Sequence, residues 1–144
     1  YRMSNILASI GRAQLKRLPD IVMRRREIRN RYATALDTIP GVSVMGDPTW
    51  GTWNGWLTTI RFSHLDHPDA PTRIREDLAV QDIESRPVWK PMHQQPVFAS
   101  AESVITGVAD QIFEEGLCLP SGTSMTNAEI DRVIGEIVKA LNTL

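Results

Sequence analysis

The densest run of chemically capable side chains is Ser85-Arg86-Pro87-Val88-Trp89-Lys90-Pro91-Met92-His93-Gln94-Gln95. Arg86 could make a bidentate contact with a phosphate or carboxylate, Lys90 could supply a point charge, and His93 could donate or accept a proton. A purely structural reading pairs Arg86 with Glu84 or Asp82 and has His93 capping a turn. The residues alone leave both readings open. Pro87, Pro91 and Pro96 keep the run out of a helix, and an irregular loop of this kind is where binding groups concentrate.

Other candidates carry weaker signals. His64 and His67, three apart, could share a metal, but they sit in an Asp- and Pro-rich turn with no clear third ligand. Cys118 lies between Leu117 and Leu119, the setting of a buried, inert thiol. Trp50, Trp53 and Trp56 recur at a spacing of three, which suits core and loop packing as well as a stacking surface. Arg24, Arg25, Arg26, Arg29 and Arg31 form a basic cluster that could bind a polyanion. Consecutive helical residues point about 100° apart, so three adjacent arginines make no single stripe, and a solvated helix face is the competing reading. Gly-x-x-x-x-Gly-Lys, Gly-x-Gly-x-x-Gly and Gly-x-Ser-x-Gly runs are absent, which removes the phosphate-cradling loops and the hydrolase elbow.

Composition bounds these readings. The chain has 144 residues, 42% hydrophobic and 23% charged, as expected of one globular domain with a substantial core. Its net charge of −1 hides an asymmetry: residues 1–40 carry nine basic and three acidic groups (+6), and the remainder seven and fourteen (−7). One cysteine excludes an internal disulfide and fits a reducing cytoplasm. No apolar run approaches the roughly 20 residues of a membrane helix, and no signal-peptide pattern opens the chain. The start at Tyr1-Arg2-Met3, directly ahead of a helical segment, suggests a piece of a longer protein.

The elements that must position the loop follow from periodicity. Ser4 or Asn5 caps a first helix with Ile6, Leu7, Ile10, Ala13, Gln14 and Leu18 on one face. Pro19 should end it, and Asp20 should cap a second helix to about Asp37, with Ile21, Ile28, Tyr32, Ala35, Leu36 and Ile39 inward, stopped by Pro40-Gly41. Val42-Ser43-Val44 reads as extended, and Trp56 to Phe62 alternates like a half-buried strand. A short helix over Ala70–Leu78 follows, then an extended Asp82–Val88. Val108–Glu115 is a helix ended by Gly116, and Leu117-Cys118-Leu119-Pro120 a brief buried strand. Thr126-Asn127-Ala128-Glu129 is a capping box that opens a final helix with Ile130, Val133, Ile134, Ile137, Val138 and Leu141 inward. This order predicts an α+β fold, a few mostly antiparallel strands with helices packed on one side, preceded by two helices. It divides into a helical pair, 1–40, and a small α+β domain, 41–144.

Several blocks are also familiar together. Tyr1-Arg2-Met3-Ser4-Asn5, Ile10-Gly11-Arg12-Ala13-Gln14-Leu15, Arg24-Arg25-Arg26-Glu27-Ile28, Arg86 to His93 and Gly116-Leu117-Cys118-Leu119-Pro120-Ser121-Gly122-Thr123 resemble, in that order, the C-terminal part of DegT/DnrJ-type sugar aminotransferases. The likeness is greatest to members that aminate UDP-linked 4-keto sugars, as in bacillosamine formation. The resemblance implies a fold-type I, pyridoxal 5'-phosphate-dependent enzyme, a homodimer with its active sites at the subunit interface. It puts the imine-forming lysine, the carboxylate under the pyridine nitrogen and the aromatic stacking group in a large domain ahead of residue 1. It gives Arg2 a contact with cofactor or substrate, and it places Arg86, Lys90 and His93 beside the nucleotide-sugar pocket. Lys90, between Trp89 and Pro91, does not match the family's lysine motif. The 144 residues alone are therefore expected not to transaminate. The alternative is a non-catalytic dimerisation module, or a polyanion-binding one that uses Arg24–Arg31.

Overall fold

In a computed structural model of the chain, which describes residues 2–63, 65 and 67–144, one long helix runs alongside a four-stranded sheet. The helix, α1 (Asn5–Leu36), starts where the Ser4 side chain accepts from Leu7 N–H at 3.3 Å. It does not break at Pro19, and Asp20 caps nothing: the expected helical pair is one 32-residue helix. Proline removes the N–H that would bond to the Leu15 carbonyl. Residues 11–20 are all exposed, so water can serve that carbonyl, and the long unbranched side chains of Lys16, Arg17 and Met23 favour continuation. Only the C-terminal half packs: Ile28, Tyr32 and Leu36, spaced by four, are completely buried, while Ile21, Ala35 and Ile39 are half-buried.

The strands β1 (Val42–Val44), β2 (Thr58–Phe62), β3 (Arg86–Pro87) and β4 (Gly116–Leu119) lie in the order β1-β2-β4-β3, every pair antiparallel. The register sets Thr58 opposite Leu119 and Ile60 opposite Leu117. Side chains alternate between faces, so Val42, Val44, Thr58, Ile60, Phe62, Leu117 and Leu119 share the inner face. That face meets Ile28, Tyr32 and Leu36 of α1, Ile74 and Leu78 of α2 (Ala70–Val80), and Ile130, Val133 and Ile137 of α4 (Asn127–Leu141) in one core. A further helix, α3 (Val108–Glu115), leads into β4. Thr59, Arg61 and Cys118 fall on the other face, where Arg61 pairs with Glu115 at 2.5 Å.

The extended segment expected over Asp82–Val88 pairs only at Arg86–Pro87. Extending the ladder would set Glu84 against Pro120, which has no N–H to give, so the pairing stops there. Beyond β3 the proline-rich run makes two short 3-10 turns, Met92–Gln94 and Pro96–Phe98.

Candidate functional site

The loop leaving β3 is held at several points. Val88 packs against Gly116, where an added Cβ would collide with both Val88 and the Ile112 carbonyl, so only glycine lets loop and α3 close up. The Trp89 indole lies against that of Trp56, ring centroids 5.6 Å apart, and both rings stay largely exposed. Trp56 is held through its backbone: its carbonyl accepts from Arg25 and Ser121, and its N–H donates to Asn54 Oδ1 at 3.0 Å. Pro91 is buried, and Lys90 is exposed, its carbonyl accepting from Gln95 Nε2 at 3.3 Å. Further on, His93 Nε2 and Gln94 Nε2 both lie against Asp110 Oδ1, at 2.7 and 2.5 Å. Burial alone would raise the Asp110 carboxyl, but the hydrogen bonds from Gln94 and His93 outweigh it and hold the group below the usual carboxylate range.

Arg86 does pair with Glu84, at 2.8 and 2.5 Å. Both partners are more than 70% exposed, however, and an exposed pair is worth so little that an incoming anion can displace it. Arg86 also lines an open pocket of about 440 Å³ with Ser85, Leu119, Ser121 and Arg132. Lys90 and His93 thus lie on the loop and Arg86 in β3 at its root; neither Lys90 nor His93 lines the pocket that Arg86 borders. Arg2 does not join them. It sits ahead of α1, and the 23 residues to Arg25, which touches Trp56, span about 35 Å of helix at 1.5 Å per residue. Asp110 and Trp56 escaped sequence reasoning as partners of the loop, since nothing local links positions 56 and 110 to it. An acidic residue in the first turn of a short helix was the one available hint for Asp110.

The basic cluster turns inward. Arg24 donates to the Met125 carbonyl at 2.6 Å, Arg25 to that of Trp56, and Arg26 meets Asp47 at 2.5 Å. Arg29 donates to the Val44 and Met45 carbonyls, and Arg31 makes a two-point contact with Asp131. The fan of about 100° per residue that prevents a stripe is what lets three successive arginines grip three separate segments. All five arginines thus have partners within the chain, and Arg31 with its partner Asp131 stays solvent-exposed, as the solvated-face reading expects. Cys118 is buried, its Sγ 3.7 Å from Thr59 Oγ1. His64 lies outside the described residues, so the His64–His67 pair is not placed; among the described residues no group of three or more His, Cys, Asp or Glu could hold a metal ion.

Compared with known proteins, residues 1–138 match the DegT/DnrJ/EryC1/StrS aminotransferase family. The chain belongs to this family. Its similarity to EpsN of Bacillus subtilis (strain 168), named as a pyridoxal phosphate-dependent aminotransferase, is 43% identity over 148 residues, covering 100% of this chain and 37% of that protein. With GDP-perosamine synthase of Caulobacter vibrioides it shares 34% over 149 residues, 98% of this chain and 38% of that one. Among solved structures, the aminotransferase TlmJ from Streptoalloteichus hindustanus superposes with a TM-score of 0.83 at 29% identity, over 96% of this chain and 36% of that one. PseC of Helicobacter pylori, at a TM-score of 0.85 and 17% identity over 100% of this chain and 39% of that one, shares the fold. The DegT/DnrJ/EryC1/StrS chain described here thus spans little more than a third of the length of these relatives, and its α+β architecture is the one found in fold-type I aminotransferases.

Do its own residues fit a covalently held pyridoxal phosphate? Imine formation needs a lysine that can lose its proton, as desolvation in an apolar pocket or a cationic neighbour allows. Lys16, Lys90 and Lys139 are all exposed, and Lys139 is paired with Glu136 at 2.7 Å. None of them fits.

Proposed function

We propose that this chain is the substrate-facing, C-terminal portion of a pyridoxal 5'-phosphate-dependent aminotransferase that passes an amino group from an amino acid, glutamate in the first instance, to a nucleotide-linked keto sugar for surface-polysaccharide or glycan biosynthesis. The observation that carries this reading is the family match over residues 1–138, with a sugar-nucleotide aminating relative at 34% identity. Bound pyridoxal phosphate supplies the electron sink for such a transfer. This chain's residues do the rest of what falls to them. Arg86 leaves Glu84 to take a phosphate or carboxylate by a two-point contact, Lys90 adds a mobile positive charge, and His93 offers a ring nitrogen. The covalent lysine belongs outside these 144 residues. A homodimer suits the placement of Arg2, which lies about 35 Å of helix away from Arg25: one chain's Arg2 can then serve a pocket bordered by another chain's loop. Residues 1–40 then join the 41–144 unit to the remainder of the enzyme, working in the cytoplasm.

The test is direct. The 144-residue chain is mixed with pyridoxal phosphate, treated with borohydride and weighed intact, and is assayed with glutamate and a nucleotide-linked 4-keto sugar. No lysine-specific adduct and no turnover are expected, against both from the whole protein. A single reduced adduct on Lys90, or turnover by the chain alone, overturns the assignment.

A further inference from the structure

The Asp110 carboxylate accepts from two consecutive loop residues, and this geometry constrains His93 beyond simple anchoring. An ionised carboxylate accepts hydrogen bonds and donates none. With Oδ1 of the ionised carboxylate 2.7 Å from Nε2, the imidazole carries a hydrogen on Nε2, and the Gln94 amide donating to the same oxygen helps keep Asp110 in that ionised form. Nδ1 has no partner among the described residues, and it is not among their buried unsatisfied atoms, so it faces open space.

We propose that Asp110 is a positioning residue for the sugar substrate: it locks His93 as the Nε2–H tautomer and so leaves Nδ1 as the acceptor offered to a hydroxyl or N–H of the nucleotide-linked sugar. This rests on the function proposed above and deepens it. Asp110 is well placed for the task. It lies in the first turn of α3, where the helix dipole favours a negative charge. The far end of α3 is seated against Val88 at Gly116. The loop is thus gripped at Val88 and again at His93–Gln94, and between those grips Trp89, Lys90 and Met92 project outward. A histidine whose second nitrogen is fixed by a carboxylate presents one defined atom. A freely rotating histidine would present either nitrogen, in either state.

The experiment has two readouts. In the 144-residue chain with ¹⁵N-labelled histidine, imidazole ¹⁵N–¹H correlation spectra at a pH where His93 is neutral should show Nε2 protonated and Nδ1 bare. Asp110→Asn, whose Oδ1 still accepts, should keep that pattern, and Asp110→Ala should give a mixture of tautomers. In the whole aminotransferase, Asp110→Ala should raise KM for the nucleotide-linked sugar about tenfold with little change in kcat or in KM for the amino donor, and Asp110→Asn should recover most of the loss. Asp110→Ser, which keeps a small polar residue in the first helical turn, replaces the alanine variant if that one fails to fold. An Nδ1–H tautomer in the native chain overturns the proposal, as does an alanine variant whose tautomer or KM is unchanged. If the whole protein aminates no nucleotide-linked keto sugar while the tautomer pattern holds, the functional reading has failed and takes the substrate-positioning role with it; the tautomer lock alone then stands.

Discussion

Tyr32 and Gly55 show how single residues hold the site's support in place. The Tyr32 ring is completely buried, and its hydroxyl donates to the Pro120 carbonyl at 3.0 Å, just beyond β4. Burial raises the phenol's pKa well above its ordinary value, so it stays a donor at any physiological pH. Tyr32→Phe should lower the unfolding free energy by about 1 kcal/mol, the loss of a hydrogen bond to a half-buried carbonyl, read from urea denaturation. Gly55 has φ +74° and lies where a Cβ would come within 2.9 Å of the Arg25 Cβ. Gly55→Ala should therefore cost at least ~1 kcal/mol and displace Trp56, seen as an altered tryptophan emission spectrum. At this scale the loop's own residue types were legible, because arginine, lysine and histidine announce their chemistry. Their partners were not: only the Arg86–Glu84 pair is local enough to have been foreseen, whereas Asp110 is seventeen positions from His93.

Elements divide by whether their signals are local. In α4 the Thr126 side chain accepts from Glu129 N–H, while the Glu129 carboxylate accepts from Thr126 N–H at 2.7 Å, so the capping box read from the sequence is formed in full. The Thr126 backbone hydrogen bond, and then its hydroxyl, hold the Glu129 carboxyl below its ordinary 4.5. A depressed carboxyl stabilises the fold at pH values above its unfolded pKa, and that support is lost as pH falls through the folded value. Thermal stability should thus fall in acid below about pH 4.5 with a slope that Glu129→Gln reduces, and Thr126→Ala should cost ~1 kcal/mol at neutral pH. For α1 the local signal misled. Pro19 lies in a solvent-exposed stretch, so Pro19→Ala should protect the amides of residues 11–23 from hydrogen exchange more than it raises the midpoint of global unfolding. The C-terminal half of α1 also seals the sheet edge at β1: Asp37 Oδ1 takes Val44 N–H at 2.7 Å and Arg29 takes the Val44 carbonyl, leaving less edge for another strand to join.

As a whole the molecule is a small α+β body with a helix reaching out of it. Ile6, Leu7 and Ile10, on the projecting end of α1, are each more than half exposed. An apolar stretch of that kind favours association in water. The 144-residue chain should self-associate with rising concentration in sedimentation equilibrium, and paired Ile6→Lys and Ile10→Lys substitutions should shift it towards monomer while leaving the core midpoint unchanged. By itself, the sequence determined the elements that carry their own punctuation: α4 with its capping box, α3 ending at Gly116, the alternating β2, the buried run of β4, and the order of motifs that marks the family. Each of those signals lies within a few residues of what it specifies, where hydrogen-bond geometry and side-chain periodicity act. Tertiary structure decided the rest. It let α1 run through Pro19 because that stretch is solvated, sent five arginines to partners up to 103 positions away, and joined Asp110 to His93. Those outcomes depend on which distant groups meet in space, and the register of β2 on β4 together with the packing of α1 and α4 over the sheet is what brings them together.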